Sequence, residues 1–372
     1  MARDEVVVGW LLGADLRDPE LLAAYELARE RVKELLAEQL PEYDWKTPYA
    51  ERRVFVPRGG LDPVALLELA VDEKLHRRWD FAVVVVPNEL LAHHRPYALG
   101  LSSRALEVAV ISTSRLSSGE RLVEEIVALV LHFLGHLFGL EHRDRGPMRP
   151  VDDPEDLVPE PYLEDELARI RAYLEAVVVV RLEEKSQRWN AVNFYLQTFL
   201  QDPLDVFRQV VEHAPWRLPL YLGRFTAAAA VSTVYLLISS DAWALAASLA
   251  PGAIAAFTLA ALLAATFFLF WGQDLGRLGH ERSWREQLAR TRIVLFLTLG
   301  LGMLSLWVLV FGLTLVTGLV FPRELLLSWA GRPAVLAFSG FAAALGVVAA
   351  AMGGNLEEEA EIKAELFIDE ET

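Results

Sequence analysis

His132-Phe133-Leu134-Gly135-His136-Leu137-Phe138-Gly139-Leu140-Glu141-His142 is the stretch on which the reading of this chain turns. Two histidines at i and i+4 project from one face of a helix and can share a metal ion. Gly139 permits a positive φ, which ends the helix and lets the chain fold back. The return brings His142 toward the ion already reached by His132 and His136. Three neutral imidazoles with an open fourth position form a catalytic-type zinc site, so Zn2+ is the expected cofactor. Met148 follows Gly146-Pro147, in a turn-forming context. Of the 8 histidines, the adjacent pair His93 and His94 reads as a solvated loop, and His76, His213 and His280 are isolated.

The residues before the motif read as an α/β unit. The run Glu120 to Leu140 is apolar on most sides, so it should be a buried helix, with Ser117 and Glu120 forming a capping-box pattern ahead of it. Upstream, Glu5–Leu12 reads as a strand and Pro19–Leu40 as a helix capped by Asp18. Arg52–Val56 reads as a second strand. Pro63–His76 reads as a helix capped by Asp62, with proline at its first position. Asp80–Val86 is continuous and β-branched, as in a strand covered on both faces. Leu99–Ser102 and Leu106–Thr113 follow as a hairpin at the sheet edge. Strands alternating with helices imply a mixed, largely parallel sheet.

Composition sets the outer limits. The chain has 372 residues, 53% apolar and 23% charged, with a net charge of −16. That acidity argues against a general nucleic-acid binder, which needs basic surface to neutralise phosphates. With no cysteine, a disulfide framework and thiolate metal ligation are both excluded. Mean hydropathy is +0.29, high for a purely soluble protein.

The apolar excess lies in the second half. Phe225–Ser240, Ala253–Trp271, Ile293–Phe321 and Ala334–Met352 are nearly free of charge and near the length that spans a hydrocarbon core. They predict an all-α transmembrane region of four helices. No ionisable residue lies well inside any of them, Asp241 being at an end, so nothing marks an ion path. Small residues at Ala227–Ala230, Gly300, Gly302, Gly340 and Gly346 favour close helix packing instead. The loop Gly272–Arg292 carries Arg277, Arg282, Arg285, Arg290 and Arg292, whereas Ser240–Gly252 carries no basic residue. The positive-inside rule therefore places both termini and the middle loop in the cytoplasm of a multi-pass cell membrane protein. Aromatic residues from Trp189 to Tyr221 fit either an interfacial segment or core packing. The layout expected is residues 1–155 as the metal-binding domain, 156–223 as a helical juxtamembrane linker, 224–352 as the membrane domain and 353–372 as an acidic tail. Most of that tail should be solvated, although Ile362 and Leu366 share a face that can dock.

The histidine stretch resembles the metzincin clan of zinc metallopeptidases, with the signature H-E-x-x-H-x-x-G-x-x-H and a Met-turn. Within the clan it looks most like the archaemetzincins, through Tyr97-Ala98-Leu99-Gly100-Leu101, Val108-Ala109-Val110-Ile111-Ser112-Thr113-Ser114-Arg115-Leu116 and the His helix. The resemblance covers roughly residues 5–150 and implies a metzincin-like α/β zincin domain. It also implies that His132, His136 and His142 ligate zinc and that Met148 floors the site. An edge strand, Leu99–Ser102 or Leu106–Thr113, would pair with an extended peptide or protein partner.

Two departures accompany the resemblance. Archaemetzincins carry cysteines after the third His that bind a second zinc; Arg143 stands there instead, and Met148 lies closer to that His than in the family pattern. The larger departure is Phe133, at the position of the family's general base. Phenylalanine cannot exchange a proton, and losing a general base commonly costs about 10²–10⁴ in rate. Glu141 is the nearest carboxylate in sequence and the candidate substitute. Three functions fit these residues: a membrane-anchored pseudo-metallopeptidase that binds a peptide or protein partner, an active membrane-tethered metallopeptidase with a non-standard base, or a membrane scaffold or carrier with a structural His site. An oligomer is compatible with each.

Overall fold

The computed structural model describes residues 4–13, 19–52, 60–92, 96–151, 153–175, 195–196, 199–200, 203–212, 214–221, 223–272, 286–320, 332–354, 363, 368 and 370–372. Asp18, His93, His94, Trp189, His213, His280, Ile362 and Leu366 lie outside them. The chain forms two compact units. The first contains residues Met1–Phe194, Leu278–Thr291 and Leu366–Thr372, and the second contains Tyr195–Arg277 and Arg292–Glu365.

The first unit is built on strands β1 (Asp4–Gly13), β2 (Tyr43–Lys46), β3 (Tyr49–Arg52), β4 (Phe81–Val86), β5 (Gly100–Ser103), β6 (Val108–Ser112) and β7 (Glu370–Glu371). Its helices are α1 (Pro19–Gln39), α2 (Pro63–Arg77), α3 (Glu120–Leu137) and α4 (Glu164–Leu174). The sheet order is β2-β1-β4-β6-β5-β7, with β3 also on β1. Pairing is parallel from β2 to β6 and antiparallel at β5 and β7. All six residues of β4 are buried, as a central strand covered on both faces requires. Asp62 caps α2 by accepting from the Val64 N–H at 2.9 Å.

Two local expectations are corrected. The expected strand Arg52–Val56 lies, past Arg52, outside the described residues; before it, two short strands, β2 and β3, occupy successive halves of β1. Pro48 separates them because it has no N–H for the ladder, and its carbonyl accepts from Trp10 instead, at 2.8 Å. Ser117 meets Glu125 rather than Glu120: its N–H and hydroxyl donate to the buried Glu125 carboxylate at 2.6 and 2.7 Å, and Gly119 is the N-cap without a side-chain bond. Finally, the tail is not solvated throughout, because residues 370–371 add to the sheet as β7.

One core unites α1, α3 and α4 against the sheet, joining Trp10, Tyr25, Trp45, Phe81, Phe133 and Phe138 with Leu167, Ile170 and Leu174. It thus extends past residue 155. Helix α3 is the central layer: Ile126, Leu129, Val130, Leu131, Leu134 and Leu137 are wholly enclosed, as its all-round apolar sequence requires.

The second unit is helical: α5 (Pro203–Glu212), α6 (Leu218–Tyr221), α7 (Gly223–Ile238), α8 (Ser240–Ser248), α9 (Pro251–Gly272), α10 (Glu286–Val320), from Arg292 onward, and α11 (Arg332–Gly354). Among the described residues, three segments, Pro251–Gly272, Ala289–Val320 and Val335–Gly353, are long and apolar enough to cross a membrane, with mean hydropathies of 2.3, 2.5 and 2.2. A fourth exists if Val206–Leu220 and Phe225–Ile238, bent by 53° at their junction, count as one span. Helix α7 alone has 16 residues, about 24 Å at 1.5 Å each, so the first span needs the residues before it. Leu259, Leu263, Phe267 and Trp271 stay exposed along α9, the surface a lipid solvent would cover. Helix α11 packs on α7, α8 and α9. Gly340 receives Ile254 and Gly346 receives Thr233 and Val310, the close approach that small residues permit. Trp243 stacks on Phe338 with ring centroids 3.7 Å apart.

Candidate metal centre

The three motif histidines converge. His136 Nε2 lies 3.2 Å from His132 Nε2 and 3.2 Å from His142 Nε2, and together they form a group able to hold a metal ion. A tetrahedral ion with bonds of about 2.0–2.1 Å spaces its nitrogens about 3.3 Å apart, so the observed separations match one shared ion. His132 and His136 come from successive turns of α3. His142 arrives through a Schellman ending, in which Gly139 donates to the His136 carbonyl and Leu140 to the Gly135 carbonyl, both at 2.9 Å. Gly139 has φ +81°, the left-handed conformation this ending uses.

The electrostatics favour the metal-binding form. Burial pushes the His132 imidazole down to about 4, with the neighbouring His142 acting in the same sense. Burial, His132 and His142 push His136 down to about 2. Both rings are therefore neutral at pH 7. His132 Nδ1 donates to the Pro147 carbonyl at 2.8 Å, which leaves a lone pair on Nε2. Such a partner orients a ligating imidazole and raises its basicity. The donor set suits zinc, the usual ion for three imidazoles.

The floor is assembled by the segment after His142. Arg143 donates its backbone N–H to the Met148 carbonyl at 2.9 Å. Met148 is wholly buried, and a Cβ at Gly135 would come within 2.1 Å of its sulfur. Tyr162 supports the helix from outside the motif: its hydroxyl donates to the Leu131 carbonyl at 2.5 Å. Only the aromatic ring in an otherwise polar Pro-rich stretch hinted at this role in the sequence.

Phe133 is fully buried. Its ring meets His132 edge-on, with centroids 5.4 Å apart, and presses on β5, where a Cβ at Gly100 would lie 2.4 Å from Phe133 Cε2. Glu141 is exposed and is not part of the metal-binding group, which contains no carboxylate among the described residues.

No protein-family model matches the chain, and no curated protein does. Solved structures do. The first unit resembles archaemetzincins. The archaemetzincin of Methanopyrus kandleri is 20% identical over 46% of this chain and 96% of its own, with a TM-score of 0.40. The archaemetzincin of Archaeoglobus fulgidus, in complex with malonate, is 16% identical over 44% and 99%, with a TM-score of 0.32. A zinc-dependent peptidase from Methanocorpusculum labreanum is 21% identical over 45% and 99%, with a TM-score of 0.28.

Proposed function

We propose that this protein is a membrane-anchored zinc-binding domain that has lost peptide hydrolysis and works by holding an extended peptide or protein partner along strand β5. The observation that carries this reading is the Phe133 ring, enclosed between His132 and Gly100. Hydrolysis at zinc needs a group beside the metal to accept a proton from water. An aromatic ring supplies none, and Glu141, which is exposed, is not part of the metal-binding group. When bound, zinc supplies a Lewis acid and a fixed anchor for an oxygen ligand; the three histidines hold it and Met148 supports them.

The cytoplasmic face is the placement that span count and charge support. Four spans, with the bent pair Val206–Leu220 and Phe225–Ile238 taken as one, return the segment after α9 to the side of the metal-binding unit. The arginines between Gly272 and Arg292 then share that side, which the positive-inside rule makes the cytoplasm.

A proteolysis assay of the purified protein on an unstructured substrate, with and without chelator, tests this reading. No chelator-sensitive cleavage is expected. Cleavage abolished by chelator and by His136→Ala would establish an active peptidase instead.

A further inference from the structure

The edge of β5 is already paired. Glu370 and Glu371 lie antiparallel to it, in register with Ser102 and Leu101. Thr372 donates its N–H to the Gly100 carbonyl at 3.0 Å, and its carbonyl accepts from Leu99 at 2.6 Å and from Gly100 at 3.2 Å. Glu371 and Thr372 are both buried, at 7% and 3% exposure. In an antiparallel ladder, residues directly opposite share a face. Thr372 therefore sits on the face of Gly100, whose missing Cβ makes room for the Phe133 ring. Phe133 in turn adjoins His132. The paired segment thus lies along the strand that borders the metal centre.

We infer that residues 370–372 are an intramolecular occupant of the strand-addition surface, and that a partner peptide binds by displacing them. This rests on the reading that β5 receives an extended peptide. A chain that adds to a sheet edge gains main-chain hydrogen bonds whatever its sequence, so an internal segment and an outside peptide compete for the same N–H and C=O groups. The internal segment has the advantage of effective concentration. It is also short, with two residues in register, so a longer extended peptide can replace it. The acidic run Asp369-Glu370-Glu371 preceding Thr372 makes an extended acidic peptide the partner that this edge accepts.

The test uses the full chain in detergent and a labelled synthetic peptide with the sequence of residues 363–372. Hydrogen exchange is followed at Leu99 and Gly100, and peptide binding by fluorescence anisotropy. Wild type should show slow exchange at both amides. A variant lacking 366–372 should lose that protection, bind the peptide at least tenfold more tightly than wild type, and regain protection on binding. Thr372→Pro removes the N–H that Gly100 accepts and should act in the same direction, which keeps the test open if the deletion does not fold. Equal exchange and equal affinity in wild type and variants would overturn internal occupancy. Lost protection with no peptide binding by either variant would instead overturn the partner reading, and competition with it.

Discussion

The sulfur of Met148 rests against Gly135 so closely that a Cβ on the glycine would come within 2.1 Å of it. Gly135 precedes His136, and Met148 follows Pro147, whose carbonyl holds His132. This one contact ties the helix carrying two ligands to the turn that orients one of them.

Gly135→Ala should be destabilising even though it lies within a helix. Alanine gains about 1 kcal/mol in helix propensity, but forcing atoms into a filled core costs about 1–3 kcal/mol. A net loss of up to about 2 kcal/mol is expected on denaturant unfolding. Met148→Ala opens the space, so the double variant should lose less than the sum of the two single changes. Simple additivity would show that the contact does not constrain the site.

Phe133→Glu should make the protein strongly zinc-dependent. Removing a buried phenylalanine costs about 3–5 kcal/mol, and an enclosed carboxylate adds a desolvation penalty. Bound zinc offsets part of that penalty by pairing with the new charge. The chelator-induced drop in unfolding midpoint should therefore exceed that of wild type; an equal drop would mean that position 133 does not sense the metal.

Acid should weaken the metal-free protein through its histidines. His132 and His136 have ordinary values of 6.5 when unfolded and are held at about 4 and about 2 when folded. Between these limits the unfolded chain binds more protons, so stability falls as pH drops from about 6.5 toward 4. The variant His132→Ala, His136→Ala should show a shallower decline over that window. Identical slopes in both proteins would contradict the depressed values.

The complete absence of cysteine makes the chain a clean host for topology mapping. Ser248→Cys, in the connection without basic residues, should react with a membrane-impermeant maleimide on intact cells. Glu281→Cys, in the arginine loop, should react only after permeabilisation. Labelling of both from outside would overturn four crossings.

Elements governed by local rules read directly from the sequence. Asp62 and Pro63 mark the start of α2, the valine run marks β4, and the histidine spacing marks the metal centre. Elements that depend on distant partners do not. Strand β2 is fixed by Tyr43 and Trp45 packing edge-on with each other and, through Trp45, with Phe138. Glu125 serves Ser117 from five residues beyond the expected Glu120 because the fold buries its carboxylate. Strand β7 is two glutamates, residues with low strand propensity, and it exists only because β5 offers an open ladder. The first span is legible only in its second arm, from Phe225, since Pro215, Pro219 and Gly223 interrupt the apolar pattern at the bend.

Metal content per chain, measured by elemental analysis on the purified wild type and on His136→Ala, tests the central claim most directly. Wild type should retain about one zinc per chain, as expected for one site with three protein ligands, and His136→Ala should retain essentially none. A wild type that stays metal-free in excess zinc, or a variant that binds as much as wild type, would contradict the assignment of His132, His136 and His142 as a metal centre.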